Sequence, residues 1–420
     1  MKFFFKILEK EWNQALHKTY KKLASSLKNE VLENVSYVLE YLTIKKIIKK
    51  ELKPKLIVIN GPACAGKSTV GKILEKFNFQ RIPRITDRAK RRGEIDGKDY
   101  HFVDTITFNT LLKSNMILAG KTTYGFSRGF FKKNFKQLAS TVYSKKQYYT
   151  EGDSSLQAFK EAENIFKLSP KIVLNIFILP PSFRELYRRL SNQYKSGNFT
   201  KEEFKTRLIE GIHYLTKSIN HFKDFPNSLF IVNDDVNRID SIFSLFEIKN
   251  NTKQVENIIS FLNGKKKLQG ITTKNYAHQA GLLHPISVIY VFNSRGKLII
   301  QKRSDSGLWD HSAAGHLNIG ETHKNAAQRE LAEELGISNV SLSFLGSGIM
   351  THSLIPIKTR HYFNLFTCSY DGQLKIQTDE VLEVDYVSLK ELEKRLLKEP
   401  ETFSGGFHAT YKYFSKLAKK

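Results

Sequence analysis

Apolar residues recur at helical spacing through the first fifty positions: Trp12, Leu16, Leu23 and Leu27, then Val31, Val35, Val38 and Leu42. With no glycine in residues 1–53, the pattern predicts two amphipathic helices. From residue 54 the pattern changes. Leu56 to Ile59 is an unbroken apolar run, suited to a parallel strand buried on both faces, and Val70, Ile73, Leu74 and Phe77 then put an apolar stripe on a helix. Periodicity breaks at Asn250, Asn251 and Thr252. A short helix is expected over 255–262 and a polar stretch from Gly264; strands follow at Ile286 to Phe292 and Leu298 to Gln301, joined by a turn at Asn293–Gly296. The expected organisation is a helical extension (1–53), an α/β domain with a parallel sheet (54–250), a linker (251–277) and a second α/β domain with a mixed sheet (278–420).

Composition agrees with a folded multidomain chain. At 420 residues, two or three domains are expected, and 40% hydrophobic with 12% aromatic residues is a globular balance. The apolar run at Leu174 to Pro181 is far short of the roughly 18–20 residues of a bilayer span. Lys6, Glu9 and Lys10 interrupt the N-terminal apolar stretch, so no signal peptide is expected. Two cysteines, Cys64 and Cys368, exclude a disulfide scaffold and a cysteine-based zinc module, and they fit a reducing, cytoplasmic setting.

The net charge of +26 is uneven: residues 1–53 carry 12 basic and 6 acidic side chains, 54–250 carry 33 and 19, and 251–420 carry 22 and 16. A basic surface suits nucleic acid, anionic lipid or phosphorylated small molecules alike. No nucleic-acid motif accompanies it. For 1–53, a helical pair packed on the following domain is favoured over a membrane-surface helix, although Phe3, Phe4 and Phe5 beside lysines suit the latter.

Between the buried strand and the first helix of 54–250 lies Gly61-Pro-Ala-Cys-Ala-Gly66-Lys67-Ser68, which satisfies G-x-x-x-x-G-K-[ST]. Strand, glycine loop and helix is the order the chemistry needs. The loop N–H groups and the helix N-terminus point at phosphate oxygens, Lys67 reaches the β and γ phosphates, and Ser68 is placed to hold Mg²⁺. Gly61, Ala65, Gly66, Lys67, Ser68 and Thr69 are the candidate nucleotide-binding residues, with ATP as donor.

Downstream, residues 86–103 (TDRAKRRGEIDGKDYHFV), Tyr124-Gly-Phe-Ser-Arg128, Ile176 to Leu190 and Val232-Asn-Asp-Asp235 resemble guanylate kinase in the same order. The resemblance implies a P-loop kinase fold. It also implies that Arg88, Arg91 and Tyr100 hold the acceptor phosphate, that Tyr124, Ser127 and Asp153 line the acceptor site, and that lid arginines among Arg184, Arg188 and Arg189 close on the transferring group, Arg188 being taken as catalytic. Moving a γ-phosphoryl group between polyanions calls for positive charge more than covalent chemistry, and bidentate Arg forks suit a terminal phosphate. One departure stands out. Guanylate kinases carry an acidic residue shortly before the YGTS-like motif, yet Lys113 to Thr123 holds neither Asp nor Glu. An acceptor other than GMP, or a binding module without turnover, are the readings this leaves.

From Gly315 the chain reads GHLNIGETHKNAAQRELAEELGI, a complete G-x5-E-x7-R-E-U-x-E-E-x-G-U pattern, U being aliphatic. On a helix, Glu330, Glu333 and Glu334 are i, i+3 and i+4, so their carboxylates share a face and repel unless cations lie between them. All-oxygen ligands favour Mg²⁺ or Mn²⁺. The pattern is the Nudix box, and 278–400 resembles a whole Nudix domain, an α/β/α sandwich. The resemblance makes Glu330, Glu333 and Glu334 metal ligands, with Glu330 and Glu334 catalytic. It adds the Gly315 carbonyl to the metal shell, braces the loop through Glu321–Arg329, and adds Glu380 or Glu383 as a further acid. His311 and His316 are weaker candidates to touch substrate phosphates.

The flanks HQAGLLHPISVIYVFN, QKRS and LWDHSAAGH are similar to the Nudix subgroup that includes isopentenyl-diphosphate isomerase. That isomerase needs a cysteine ahead of the box, where this chain has Asp310-His-Ser-Ala-Ala-Gly315. Hydrolysis of a nucleoside diphosphate-X type substrate is therefore expected over isomerisation. The whole reads as a bifunctional kinase and pyrophosphohydrolase whose partners are nucleotides and other phosphorylated small molecules; the alternative is a Nudix hydrolase carrying an inactive kinase-like module.

Overall fold

The computed structural model describes residues 2–23, 35–48, 54–91, 93–123, 125–152, 154–198, 200–225, 227–247, 258–354 and 357–418. The chain forms two compact units, Met1–Asn251 and Thr252–Lys420. Among the described residues no helix is long and apolar enough to cross a membrane.

The first unit opens with helices α1 (Lys2–Leu23) and α2 (Val35–Ile48). After β1 (Leu56–Asn60) the chain passes through α3 (Lys67–Lys76) and β2 (Gln80–Arg81) into β3 (Arg84–Thr86) and β4 (Tyr100–Phe102). It continues through α4 (Thr105–Lys113), β5 (Ile117–Thr123), β6 (Phe126–Phe131) and α5 (Lys132–Ser140) to β7 (Tyr148–Glu151). The unit ends with α6 (Ser155–Phe166), β8 (Val173–Leu179), α7 (Phe183–Lys195), α8 (Lys201–Asp224), β9 (Ser228–Val232) and α9 (Val236–Glu247).

Strands β2, β7, β1, β8 and β9 lie in that order with every pair parallel. From β1 the chain crosses to the edge at β2, returns to fill the gap with β7, then passes to β8 and β9 on the other side of β1. Ligand sites in such sheets fall at the carboxyl ends of the strands beside this switch, and the glycine loop leaves β1 there. Phe135, Phe159 and Phe130 pack with Leu56 and Val58 as one core. A smaller sheet, β4-β3-β6-β5, has its own core of Ile85, Phe108 and Ile117.

The amphipathic pattern expected of the N-terminal segment holds for α1, where Leu8, Trp12, Ala15 and Leu16 are buried. It fails for α2. There Ser36, Glu40 and Thr43 are buried along with Val35, Val38, Leu39, Ile44 and Ile47, because α2 covers the edge strand β9 with side-chain acceptors. Leu27 and Val31 lie outside the described residues.

The second unit runs β10 (Ile258–Leu262), β11 (Leu268–Thr273), α10 (Lys274–Gln279), β12 (Leu283–Phe292), β13 (Leu298–Arg303), β14 (Trp309–Asp310) and β15 (Ala313–His316). It continues α11 (His323–Leu335), β16 (Ser343–Leu354), β17 (Ile357–Ser369), β18 (Val381–Val387), α12 (Leu389–Lys398) and α13 (Gly405–Ala418). Its nine-stranded sheet is mixed: β12 runs parallel to β17 and antiparallel to β10, β13 and β15. Along β12, Ile289 and Val291 meet Ala327, Leu331 and Leu335 of α11 in one core, while Val288 and Tyr290 join Leu392 of α12 with Phe407 and Tyr411 of α13 in the other. This is a helix, sheet, helix sandwich.

One expectation is corrected. Residues 258–273, expected as part of a helix and a linker, form the antiparallel hairpin β10–β11, which joins the sheet through Leu262 and Leu283. Lys266, in the left-handed region at φ 63°, closes the turn, and the run Ile258-Ile259-Ser260-Phe261 has the β-branched and aromatic character of a strand.

Candidate functional sites

The glycine loop ends at Gly66, the N-cap of α3, at φ 103°, where a Cβ would stand 1.7 Å from Asn233 Nδ2. Asn233 fixes that end: its Nδ2 donates to Ala65 O at 2.7 Å. Lys67 Nζ curls back onto the carbonyls of Gly61 (2.8 Å) and Pro62 (2.7 Å), which puts the ammonium inside the loop. Ser68 Oγ donates to Glu151 Oε2 at 3.0 Å, and Glu151 also pairs with Arg81. A serine hydroxyl beside a buried carboxylate is a donor set that fits a hard divalent cation. A cleft of about 380 Å³ opens over this side, with Gly66, Lys67, Ser68, Thr69 and Arg189 in its wall.

The three candidate arginines of helix α7 are placed differently. Arg188, taken as catalytic, is 62% exposed and bonded to Glu185. Arg189 is the one that meets the loop, donating to Ala65 O at 3.2 Å and Asn233 O at 2.7 Å. Arg184 pairs with Glu9 of α1. The two neighbours Arg188 and Arg189 lie about 100° apart around the helix, so only one of them can face the sheet.

Opposite, Lys67 shares a cleft of about 160 Å³ with Arg84, Arg88, Arg91, Arg128 and Tyr100. Arg84 Nη2 donates to Tyr100 OH at 2.5 Å, and the guanidinium carbons of Arg84 and Arg88 lie 5.1 and 5.2 Å from the Tyr100 ring centre. Arg88 Nη2 pairs with Glu94 at 2.7 Å; burial works against the charge of Glu94, yet Arg88 and the Arg91 N–H hold it below the usual range. Several cations around a small polar cleft form an anion site. Ser127 is tied instead to its own sheet, its N–H bonded to Asp87 and its hydroxyl to Thr122. Tyr124 and Asp153 lie outside the described residues.

Sequence reading had missed Arg84, Arg207, Glu210 and Tyr214 in this cleft. The last three recur at i, i+3 and i+7, one face of α8, a signal the sequence did carry. Strand β5, which lacks an acid of its own, receives one from α6: Glu161 Oε2 accepts the Ala119 N–H at 2.8 Å. It does so at the wall of a cavity of about 690 Å³ that also takes in Lys121, Ser154 and Gln157.

In the second unit, α11 starts at the Thr322 cap and stops at Gly336, in the left-handed region at φ 68°. Glu330 and Glu334 are buried and Glu333 is largely exposed. Burial pushes Glu330 up to about 7 even against Arg329, and burial with the Glu330 charge pushes Glu334 well above its ordinary value. Of the two further acids, Glu380 is the one whose charge is felt by Glu330 and Glu334, while Glu383 pairs with Lys302. Crowded, desolvated carboxylates are a set that fits Mg²⁺ or Mn²⁺. A Cβ at Gly315 would stand 1.9 Å from Glu330 Oε1, so the strand approaches the carboxylate only as glycine. Arg329 grips Glu321 with Nε (3.0 Å) and Nη2 (2.9 Å), the brace expected of this loop.

His316 stands among other imidazoles. It belongs to a cluster with His278, His284 and His361, whose ligand nitrogens all lie within 4.8 Å of one another. His284 Nδ1 is engaged with Leu282 O at 2.7 Å, leaving Nε2 toward the cluster without a hydrogen-bond partner, and neither His361 nitrogen has one. Burial holds His284 down to about 4 and keeps His316 and His361 well below the usual range. His278 Nε2 and His316 Nε2 lie 3.2 Å apart, and a set of four close imidazoles, two of them with unpartnered nitrogens, fits a borderline divalent ion. His311 is also buried, bonded to Asp310 and Thr410. Cys368 is buried in the core under α11, its thiol pushed up to about 11 by burial.

Compared with known proteins, residues 53–246 match the guanylate kinase family and residues 282–405 match the NUDIX domain family. A guanylate kinase of Wolbachia pipientis wMel is 32% identical over 225 residues, 52% of this chain and 94% of that one. An isopentenyl-diphosphate Delta-isomerase 2 of Photorhabdus laumondii is 33% identical over 147 residues, 33% of this chain and 81% of that one. A crystal structure of guanylate kinase from Anaplasma phagocytophilum, 26% identical, covers 46% of this chain and 86% of that one with a TM-score of 0.33.

Proposed function

From a chain that belongs to the guanylate kinase family over residues 53–246 and to the NUDIX family over residues 282–405, we propose that one polypeptide carries two phosphate chemistries. The first unit phosphorylates a monophosphate with ATP. The second hydrolyses a diphosphate-linked substrate with a divalent metal ion.

The observation that carries the first half is the meeting of Lys67 with Arg84, Arg88, Arg91 and Arg128 around one cleft. The loop N–H groups and Lys67 take the β and γ phosphates of the donor, while the arginines and Tyr100 orient the acceptor phosphate. An acceptor oxygen attacks the γ-phosphorus, the β–γ anhydride bond breaks, and ADP leaves with that electron pair. Mg²⁺ held at Ser68 would screen the phosphate oxygens. Arg189 steadies the carbonyl end of the loop. Coupled ADP release over a panel of nucleoside monophosphates tests this. Turnover lost in Lys67→Ala supports it, and equal ATP consumption by wild type and variant refutes it. Nucleotide binding without turnover would favour the second reading, a binding module, to which the acid-free β5 lends weight.

For the second half, the buried Glu330 and Glu334 on α11 carry the reading. The metal ions bound there would polarise a diphosphate and activate water. Glu330, Glu333, Glu334, Glu380 and the Gly315 carbonyl are the proposed oxygen ligands, and His278, His284, His316 and His361 would hold a separate, imidazole-bound ion. Isomerisation is disfavoured because strand β15, at the start of the box, offers Ala313 and Ala314 and no cysteine, and Cys368 is shut in the core. Release of monophosphate from nucleoside diphosphate-linked compounds, lost in Glu330→Gln and Glu334→Gln, is the expected result. Activity retained in both variants would overturn the assignment.

A further inference from the structure

The N-terminal helices reach the donor site through one continuous set of buried polar contacts. Edge strand β9 presents N–H groups that no further strand covers, and α2 satisfies two of them with side chains: Thr43 Oγ1 accepts from Phe230 N and Glu40 Oε1 from Val232 N, each at 2.9 Å. Glu40 is 0% exposed and also holds Arg238, with Nη1 at 3.0 Å and Nη2 at 3.1 Å. Arg238 Nη2 donates back to Val232 O, and Nε to Asp234 Oδ1 at 2.8 Å. Tyr37 of α2 donates to the other oxygen of Asp234 at 2.8 Å.

Asn233 sits between these two clamped residues. Its N–H donates to Leu179 O at 2.7 Å, its side chain to Ala65 O at 2.7 Å, and its carbonyl accepts from Arg189 Nη2 at 2.7 Å. Val232 and Asp234 are thus fixed from α2, while the residue between them fixes the end of the glycine loop. Helix α1 supports the same region from beside it. Trp12 is fully buried, its ring 5.9 Å from Phe183 of α7, and a Cβ on Gly211 of α8 would meet Leu186, Pro62 of the loop and Trp12 together.

We infer that Glu40 is a positioning residue of the donor site, setting the glycine loop through Arg238, Val232 and Asn233, so that helices α1 and α2 are part of the phosphate-binding apparatus. This rests on the reading of the loop as an ATP site. A loop whose N–H groups must converge on phosphate oxygens loses affinity when its anchor shifts by a fraction of an ångström. The donor, not the acceptor, should register the change.

The test uses the full chain and compares Glu40→Gln with Thr43→Val, a substitution on the same helix and strand that removes a β9 contact outside the Arg238–Asn233 path. The readouts are ATP affinity by titration, the KM values for ATP and acceptor, and thermal stability. Expected are a loss of ATP affinity of about 10-fold in Glu40→Gln with the acceptor KM unchanged, and normal ATP affinity in Thr43→Val. A double variant with Asn233→Ala should lose little more than Asn233→Ala alone. Should Glu40→Gln fail to fold, Asp234→Asn loosens the same Arg238 from its more accessible side and carries the comparison. Unchanged ATP affinity in a folded Glu40→Gln or Asp234→Asn overturns the inference alone, as does an equal loss in Thr43→Val. A wild-type chain that binds no ATP overturns it together with the donor-site reading.

Discussion

The guanidinium of Arg329 donates to the carbonyl oxygen of His316 at 2.9 Å. The same group bonds Glu330 at 2.6 Å, Glu333 at 2.9 Å and Glu321 through two nitrogens. One cation therefore joins the strand that carries an imidazole of the histidine cluster to the helix that carries the carboxylates. Arg329→Ala is expected to weaken Zn²⁺ binding at the histidines and Mg²⁺-dependent hydrolysis together, each by about 10–100-fold. Arg329→Lys should not restore them, because an ammonium cannot reproduce the planar fork on Glu321. Metal titrations in which only one centre responds would separate the two.

Adjacent arginines on α7 give a sharp comparison. Arg189 bonds the loop carbonyl of Ala65 and Arg188 bonds only its own helix neighbour Glu185 in the contacts described. Arg189→Ala is expected to lower kcat/KM for ATP by about 100-fold, the scale of a reacting group displaced by about an ångström when the loop it rides on is loosened. Arg188→Ala should stay within about 3-fold, as exposed ion pairs contribute little. Steady-state kinetics in which Arg188→Ala is the more damaged variant would show that α7 turns during the reaction.

What could be read from the residues was what sits close together along the chain. The glycine loop spans Gly61 to Ser68, and the carboxylates of α11 fall within five positions, so spacing alone placed both on the right elements. The histidine cluster could not be found that way. His284 and His361 are 77 positions apart and meet only because β12 and β17 pair in parallel in that register, with His316 brought up beside Ile286 by β15. Of the helix expected over 255–262, the described residues 258–262 are a strand, because so short a run cannot fix a period and the hairpin partner decided it. Arg188 was preferred over Arg189 because a resemblance names a motif and only the rotation of α7 says which residue faces the loop.

Strand β5 has no acid, and Glu161 of α6 supplies one to its backbone at Ala119. If the acceptor's non-phosphate end lies against this wall, Glu161→Gln should change the acceptor KM by roughly 5–10-fold and alter the ranking of monophosphates, leaving the KM for ATP alone. Stability should fall by no more than about 1 kcal/mol, since glutamine keeps an acceptor for the Ala119 N–H. An unchanged acceptor profile would remove Glu161 from the specificity surface.

The metal-free second unit should lose stability as pH rises. Burial raises Glu330 from 4.5 to about 7, and Glu334 moves the same way. A carboxyl that holds its proton more tightly when folded contributes stability that is fully present below about pH 4.5 and gone above about pH 7. For Glu330 the change is on the order of 3 kcal/mol, several degrees in Tm for a unit of this size. Melting the chain in EDTA between pH 4.5 and 8 should show this decline in the transition that responds to Mg²⁺. Glu330→Gln with Glu334→Gln should flatten it and raise the metal-free Tm near pH 8, while saturating Mg²⁺ should restore wild type there by giving the carboxylates a counter-charge. A metal-free Tm that climbs from pH 5 to 8 would show that these carboxylates are already neutralised within the fold, and the cluster would then have no electrostatic need of a cation.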